Sequence, residues 1–214
     1  MVTGTMANES ATPRSESASF ESFAGISAVA VGALGLLYSI AFVVLKQRAL
    51  YSLFELVGGV LTTVVLVALF RRLRETDEAF ALWGVLLGFA GAIGSAIHGS
   101  YDLALAANPP KADVLGDAGV PFLVDPRGFM TFGVAGVGVF VIAWLMTRNS
   151  FFPRSLAYLG YVLAVLLVVL YLARLIVLDA GSVAVLLPAA LAGFIVNPVW
   201  YVWLGLVFWR TRRA

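Results

Sequence analysis

The sequence predicts an all-α fold: a polytopic integral membrane protein, built as a bundle of six transmembrane helices with both termini in the cytoplasm. Three observations predict it. Six apolar segments reach the length of roughly 20 residues that a helix needs to cross the hydrocarbon core. Only 12% of the 214 residues are charged, where a soluble domain has about 25%, so most of the surface is suited to lipid. The basic residues also gather at alternate connections between the segments.

Residues 1–22 are polar and rich in Ser, Thr and Glu. No basic stretch leads into a short apolar core, so the segment does not read as a cleaved signal peptide. Its composition predicts a disordered cytoplasmic tail, followed by a transmembrane domain over 23–214. The predicted spans are 23–45, 50–70, 79–106, 128–146, 156–178 and 183–209. With six spans, Arg14, Arg71, Arg72, Arg74, Arg148, Arg154, Arg210, Arg212 and Arg213 fall on one side. Lys46, Arg48, Lys111 and Arg127 fall on the other, and Arg174 lies inside the fifth span. The excess of Lys and Arg marks the cytoplasmic side. The one long connection, 107–127, is then external. It holds Pro109, Pro110, Pro121 and Pro126 with Asp113, Asp117 and Asp125. The prolines forbid a long regular helix there. The segment reads as a hydrated loop, or as a lid over an outward-facing cavity.

The third span, WGVLLGFAGAIGSAIHGSYD from Trp83 to Asp102, organises the rest. Gly84, Gly88, Ala92, Ala96 and Ser100 recur every four residues, and Gly91, Ser95 and Gly99 form a second row. Small residues let helix backbones approach closely. Two such rows predict neighbours on more than one side, near the centre of the bundle. The span also carries the only histidine, His98, with Tyr101 and Asp102 one turn on.

Ionisable groups inside a membrane need partners. By direction of travel, Glu55, His98, Tyr101, Asp102 and Arg174 all fall in the outer third. They form the predicted polar cluster, a site for a ligand or a proton. Arg174 is expected to pair with Glu55 or Asp102. His98 and Asp102, four apart, share a helix face, and His98 is expected to take whichever carboxylate remains. Asn197-Pro198 sits mid-membrane in the sixth span. Proline there frees the carbonyl of Phe194, so the pair predicts a kink or hinge, with Asn197 able to bond across the bundle.

Much is excluded. The chain has no cysteine, which removes disulfides, thiolate metal sites and cysteine nucleophiles. One histidine cannot supply a multi-histidine metal site. A net charge of +2 gives no field for nucleic acid. No phosphate-binding loop, dinucleotide fingerprint or hydrolase motif is present. No catalytic residue, metal or cofactor is therefore expected. A faint internal echo relates SAVAVGALGLLYSIAFVVLKQR to MTFGVAGVGVFVIAWLMTRN and sets Arg72 over Arg174. Three spans per half would make the halves inverted, a plan common in secondary transporters.

The run GFMTFGVAGVGVFVIAWLMTRNSFFPRSLAYLGYVLA and the ending NPVWYVWLGLVFWR resemble an uncharacterised bacterial membrane family, domain of unknown function 4386. The likeness lies in a Gly-rich helix, a basic turn and a Pro-Arg start to the next helix, over about half the chain. The very short connection after the first span departs from that family's pattern. The resemblance implies six spans and a bacterial cytoplasmic membrane, and it adds no activity. Two functional expectations follow. One is a non-catalytic accessory or scaffold subunit that packs, through its small-residue ridges, against other membrane proteins or copies of itself in the lipid bilayer. The alternative is a small-molecule or proton-coupled transporter using the outer polar cluster together with Asn197.

Overall fold

The computed structural model describes residues 13–108, 125–179 and 181–210. The described residues are helical throughout, apart from short connections. Six helices are long and apolar enough to cross a membrane: α1 (Ser19–Leu45), α2 (Arg48–Leu73), α3 (Glu78–Ala107), α4 (Pro126–Arg148), α5 (Arg154–Ile176) and α6 (Val183–Arg210). Each covers one of the apolar segments. They alternate in direction and pack in a ring in chain order, closed by α6 against α1. One end of the ring carries Arg71, Arg72, Arg74, Arg148, Arg154 and Arg210. The opposite end carries residues 46–47, 108, 125, 177–179 and 181–182, and is called here the loop end.

Helix starts follow local chemistry. Asp77 caps α3, accepting a hydrogen bond from the amide of Phe80 at 3.1 Å, with Glu78 in the first turn. Ser182 caps α6 by accepting from the amide of Ala184. The expected tail over 1–22 needs correction at its C-terminal side. Residues 1–12 lie outside the described residues, but the first helix begins at Pro13. Proline suits the first helical turn, where its missing N–H is not needed. Glu21 then docks on Arg72, with Oε2 2.6 Å from Nη2, and Phe20 lies under the Arg71 guanidinium.

Small residues set the helix crossings. A Cβ on Gly99 would come 2.5 Å from the Leu56 nitrogen and 2.6 Å from the Ser52 oxygen, so α3 meets the backbone of α2 directly. Gly84, Gly91 and Gly94 face α4, where Val141, Ala135 and Met130 fill the space. Gly88 receives Leu66 of α2. The predicted rows therefore divide between two neighbours. Ser100, grouped with the first row, is exposed and bonds back to the carbonyl of Ile97. Ser95 is half-buried. Rather than sitting at the centre, α3 takes a place in the ring between α2 and α4. The closure of α1 on α6 uses Gly25 against Gly205 and Trp209, and Gly32 against Pro198 and Val202.

The interior is divided along the membrane normal. Leu66, Leu69, Leu73, Ile142, Leu145, Met146, Leu156, Leu163, Trp200, Leu204 and Phe208 pack into one apolar core in the arginine half. Phe151 and Phe152 pack against Phe208 beneath it, the first tilted and the second edge-on. Arg72 lies over Phe151 at 4.4 Å, and Asn149 ties that turn to the carbonyl of Arg72 and the hydroxyl of Thr76. That end is sealed. Of the buried polar residues, Ser39, Ser52, His98, Asp102 and Asp125 lie in the loop half, with Ser27 in the arginine half.

The helix contacts generate a prediction. Gly99→Ala should lower stability by about 1–3 kcal/mol through overpacking, read as the unfolding midpoint in mild detergent. Gly58→Ala, whose Cβ would meet only Leu34 at 4.0 Å, should leave the midpoint unchanged or raise it. Equal losses would contradict this packing.

Candidate functional site

The loop half of the ring draws polar side chains from every helix. The α2–α3 seam is the most fully paired. Arg48, the first residue of α2, donates from Nη2 to Oδ1 of Asp102 at 3.1 Å. Tyr51, one turn on, lies near Asp102. Ser52 donates to the carbonyl of Arg48 at 2.6 Å and steadies that turn. One further turn into the membrane, Oε1 of Glu55 lies 3.8 Å from Nδ1 of His98. Both are deeply buried, with side chains 9% and 8% exposed. The helix spacing explains the order: residues 48, 51, 52 and 55 share one face of α2, and 98 and 102 share one face of α3.

The expected pairings are thus revised. Arg48, not Arg174, satisfies Asp102, because the two stand at matching ends of adjacent antiparallel helices. His98 takes Glu55. Arg174 approaches from α5 and lies in the electrostatic field of Tyr38, Asp125, Glu55 and Arg127. Its guanidinium sits 5.3 Å over the Phe132 ring, and its Nη1 lies close to Gly128. Glu55 in turn feels Asp102, Arg174 and Asp125. Glu55, His98, Asp102 and Arg174 therefore do share one neighbourhood. Tyr101 is half-buried beside Asp102 and, among the described residues, takes part in none of these contacts.

Asp125 is the residue whose role the loop pattern hid. It is 2% exposed. Its carboxylate accepts from the amides of Met130 and Thr131, at 2.7 and 3.1 Å, and from the Thr131 hydroxyl at 2.7 Å. It thereby closes the start of α4, and an Asp before a Pro is a recognisable helix-start signal. From this cap the chain enters the helix through Arg127 and Gly128, both at positive φ (60° and 77°). The lid reading of the long connection falls on 109–124, outside the described residues.

Three helices are locally widened to π geometry in or beside this half: Ile40–Leu45, Phe129–Val134 and Leu191–Val196. Such turns often mark functional sites. The last is how α6 absorbs Asn197-Pro198, since the Asn197 amide bonds the carbonyl of Ala192, five residues back. A six-residue stretch of π helix thus takes the place of a simple proline kink. Asn197 does not join the Glu55–His98 pair. It faces α1, where a Cβ on Gly35 would come 2.6 Å from its Nδ2. Below it, Tyr201 of α6 lies near Thr62 of α2, the two helices that flank α1. Their level marks the depth at which the interior changes from polar to apolar.

The two halves of the chain place charges alike. Arg72 near the end of α2 pairs with Glu21 near the start of α1. Arg174 near the end of α5 faces Asp125 at the start of α4, at the opposite end of the ring. Each arginine also covers a phenylalanine, Phe151 and Phe132. Among the described residues, no group of three His, Asp or Glu is arranged to hold a metal ion. No family model, no curated protein and no solved structure matches the chain, and the likeness to domain of unknown function 4386 rests on the sequence alone.

The seam yields a coupling test. Arg48→Ala leaves the carboxylate of Asp102, 4% exposed, without its cation, and should cost about 1–2 kcal/mol. Combined with Asp102→Asn, the loss should fall below the sum of the single losses, because the second change removes the stranded charge. Additive losses in detergent unfolding would show that the pair is not coupled.

Proposed function

We propose that this protein is a non-enzymatic small-molecule transporter of the bacterial cytoplasmic membrane, with both termini inside and its solute site in the outer half of the ring. One observation carries the reading: the interior is polar at the loop end and apolar and sealed at the arginine end. A structural clasp needs only enough polar groups to satisfy one another. Here the α2–α3 seam is paired, yet Arg174 and Tyr38 remain half-buried beside it rather than locked in bonds. A site that is polar at one end and plugged at the other fits one state of alternating access, in which a solute reaches the middle from one side only. The placement of Arg72 and Arg174 near the ends of α2 and α5, at opposite ends of the ring and each over a phenylalanine, favours an inverted repeat of three helices, the plan on which many such carriers are built. The wealth of arginine at the sealed end supports placing that end in the cytoplasm.

A second reading, an accessory subunit that packs against partners in the bilayer, is favoured by two apolar grooves on the outer face. One, of about 470 Å³, runs between α5 and α6 along Val169, Leu172, Ile176, Leu187 and Pro188. The other, of about 310 Å³, runs between α4 and α5 past Gly136, Phe140 and Val165.

Native mass spectrometry of the protein purified in mild detergent separates the two. The transporter reading expects a lone chain, or its homo-oligomer, that releases a small non-lipid molecule on activation. A stoichiometric second protein with no such molecule would support the accessory reading instead.

A further inference from the structure

We propose that the crossing of α1 with the widened turn of α6 is a sodium-binding site, with the Ser39 hydroxyl, the Asn197 side-chain oxygen and the Gly193 carbonyl as its ligands. The inference goes beyond the solute reading and stands without it. The starting point is a gap in the hydrogen bonding of α6. The Asn197 amide bonds the carbonyl of Ala192, five residues back. The next carbonyl in that register belongs to Gly193, and its donor would be the amide that Pro198 lacks. A carbonyl left open within a membrane needs another partner. Ser39 of α1 stands against this point. It is 5% exposed, and a Cβ on Gly193 would collide with its Oγ. Ser39 donates its proton to the carbonyl of Gly35 at 3.0 Å, which leaves the lone pairs of the hydroxyl for a ligand. One turn deeper on both helices, the Asn197 side chain packs on Gly35, where a Cβ would come 2.6 Å from Nδ2. Among the described residues that side-chain amide makes no hydrogen bond. Turning it over therefore brings Oδ1 to the Nδ2 position at no cost in bonds.

The chemistry of these groups selects the ion. All three ligands are oxygens, the kind that hard cations take. None carries a charge, whereas calcium sites draw on carboxylates, so the crossing suits a monovalent ion. Gly35 and Gly193 let the two helices approach until side chain meets backbone, which suits sodium rather than the larger potassium. Interrupted membrane helices supply sodium with unwound carbonyls of this kind. A bound ion would tie the π-helical turn Leu191–Val196 to α1 at Ser39, where α1 itself passes into π geometry over Ile40–Leu45. It would thereby fasten the ring at the place where α6 closes on α1.

The test uses the full chain in lipid nanodiscs and reads the thermal unfolding midpoint during titration with sodium chloride, potassium chloride or calcium chloride, at an ionic strength held constant with N-methylglucamine chloride. Sodium should raise the midpoint saturably, while potassium and calcium should not. Ser39→Ala keeps the Cβ that Gly193 already accommodates and removes one ligand. It should raise the sodium concentration at half effect by about tenfold or more, the loss expected for a contact to a charged group. Asn197→Ala should do the same, and it supplies the second variant should Ser39→Ala fail to fold. A purely structural role for these side chains would lower the midpoint without sodium and leave the half-effect concentration unchanged, and that result overturns the site. An equal response to potassium or calcium, which marks a general salt effect, also overturns it, as does no response to sodium. None of these failures touches the solute reading, which the mass spectrum decides by itself.

Discussion

A charge placed in hydrocarbon must find a partner on another helix, and the loop half of this protein is arranged by that requirement. Glu55 on α2 is met by His98 on α3, and Asp102 on α3 is met by Arg48 on α2. These two contacts, about two helical turns apart on α2, fix the register and rotation of the pair. The backbones can then close to the distance that Gly99 permits. With α2 and α3 locked, the remaining helices complete the ring. Apolar association alone would not specify this register, because lipid tails solvate leucine and valine as well as neighbouring helices do.

The division of the interior follows from the same constraint. Where a ring is filled by Leu69, Leu145, Trp200 and Phe208, packing density leaves no room for water. Where it is lined by Tyr38, Glu55, His98 and Arg174, the side chains have to be matched to one another or to a visiting molecule. The chain places the first kind of filling beneath the level of Tyr201 and Thr62 and the second kind above it. The π-helical turns lie in or beside the polar half, where a wider helix re-aims side chains and exposes backbone that a straight helix would cover.

Much of the fold was legible in the sequence. Segment length and hydropathy suffice to place six helices, because a spanning helix must satisfy its backbone internally and its composition is dictated by lipid. The small-residue rows of α3 did announce two neighbours. Which residue faced which neighbour was not legible, since Gly84 and Gly88, one turn apart, end up against different helices. The candidate cluster was legible as a depth. Glu55, His98, Asp102 and Arg174 were assigned to one level by direction of travel, and they share one neighbourhood. The pairings were not, because partner choice depends on which helices are adjacent and on how each is rotated. Arg48 read as a loop charge until α2 was seen to begin on it. Asp125 was hidden in a proline-rich connection, although Asp before Pro signals a helix start. The helical start at Pro13 was masked by a polar composition that suits a solvated helix as well as a tail.

The central claim is that the polar half is a wet, one-sided solute site. Natural absence of cysteine makes single-cysteine labelling the most direct test. Tyr38→Cys and Leu69→Cys would be expressed in cells and treated with a membrane-impermeant maleimide, from outside and then in inverted vesicles. The account predicts that Tyr38→Cys is labelled from the outside only, and that Leu69→Cys is labelled from neither side. Protection of both positions from both sides would contradict it and leave the polar half a dry structural clasp.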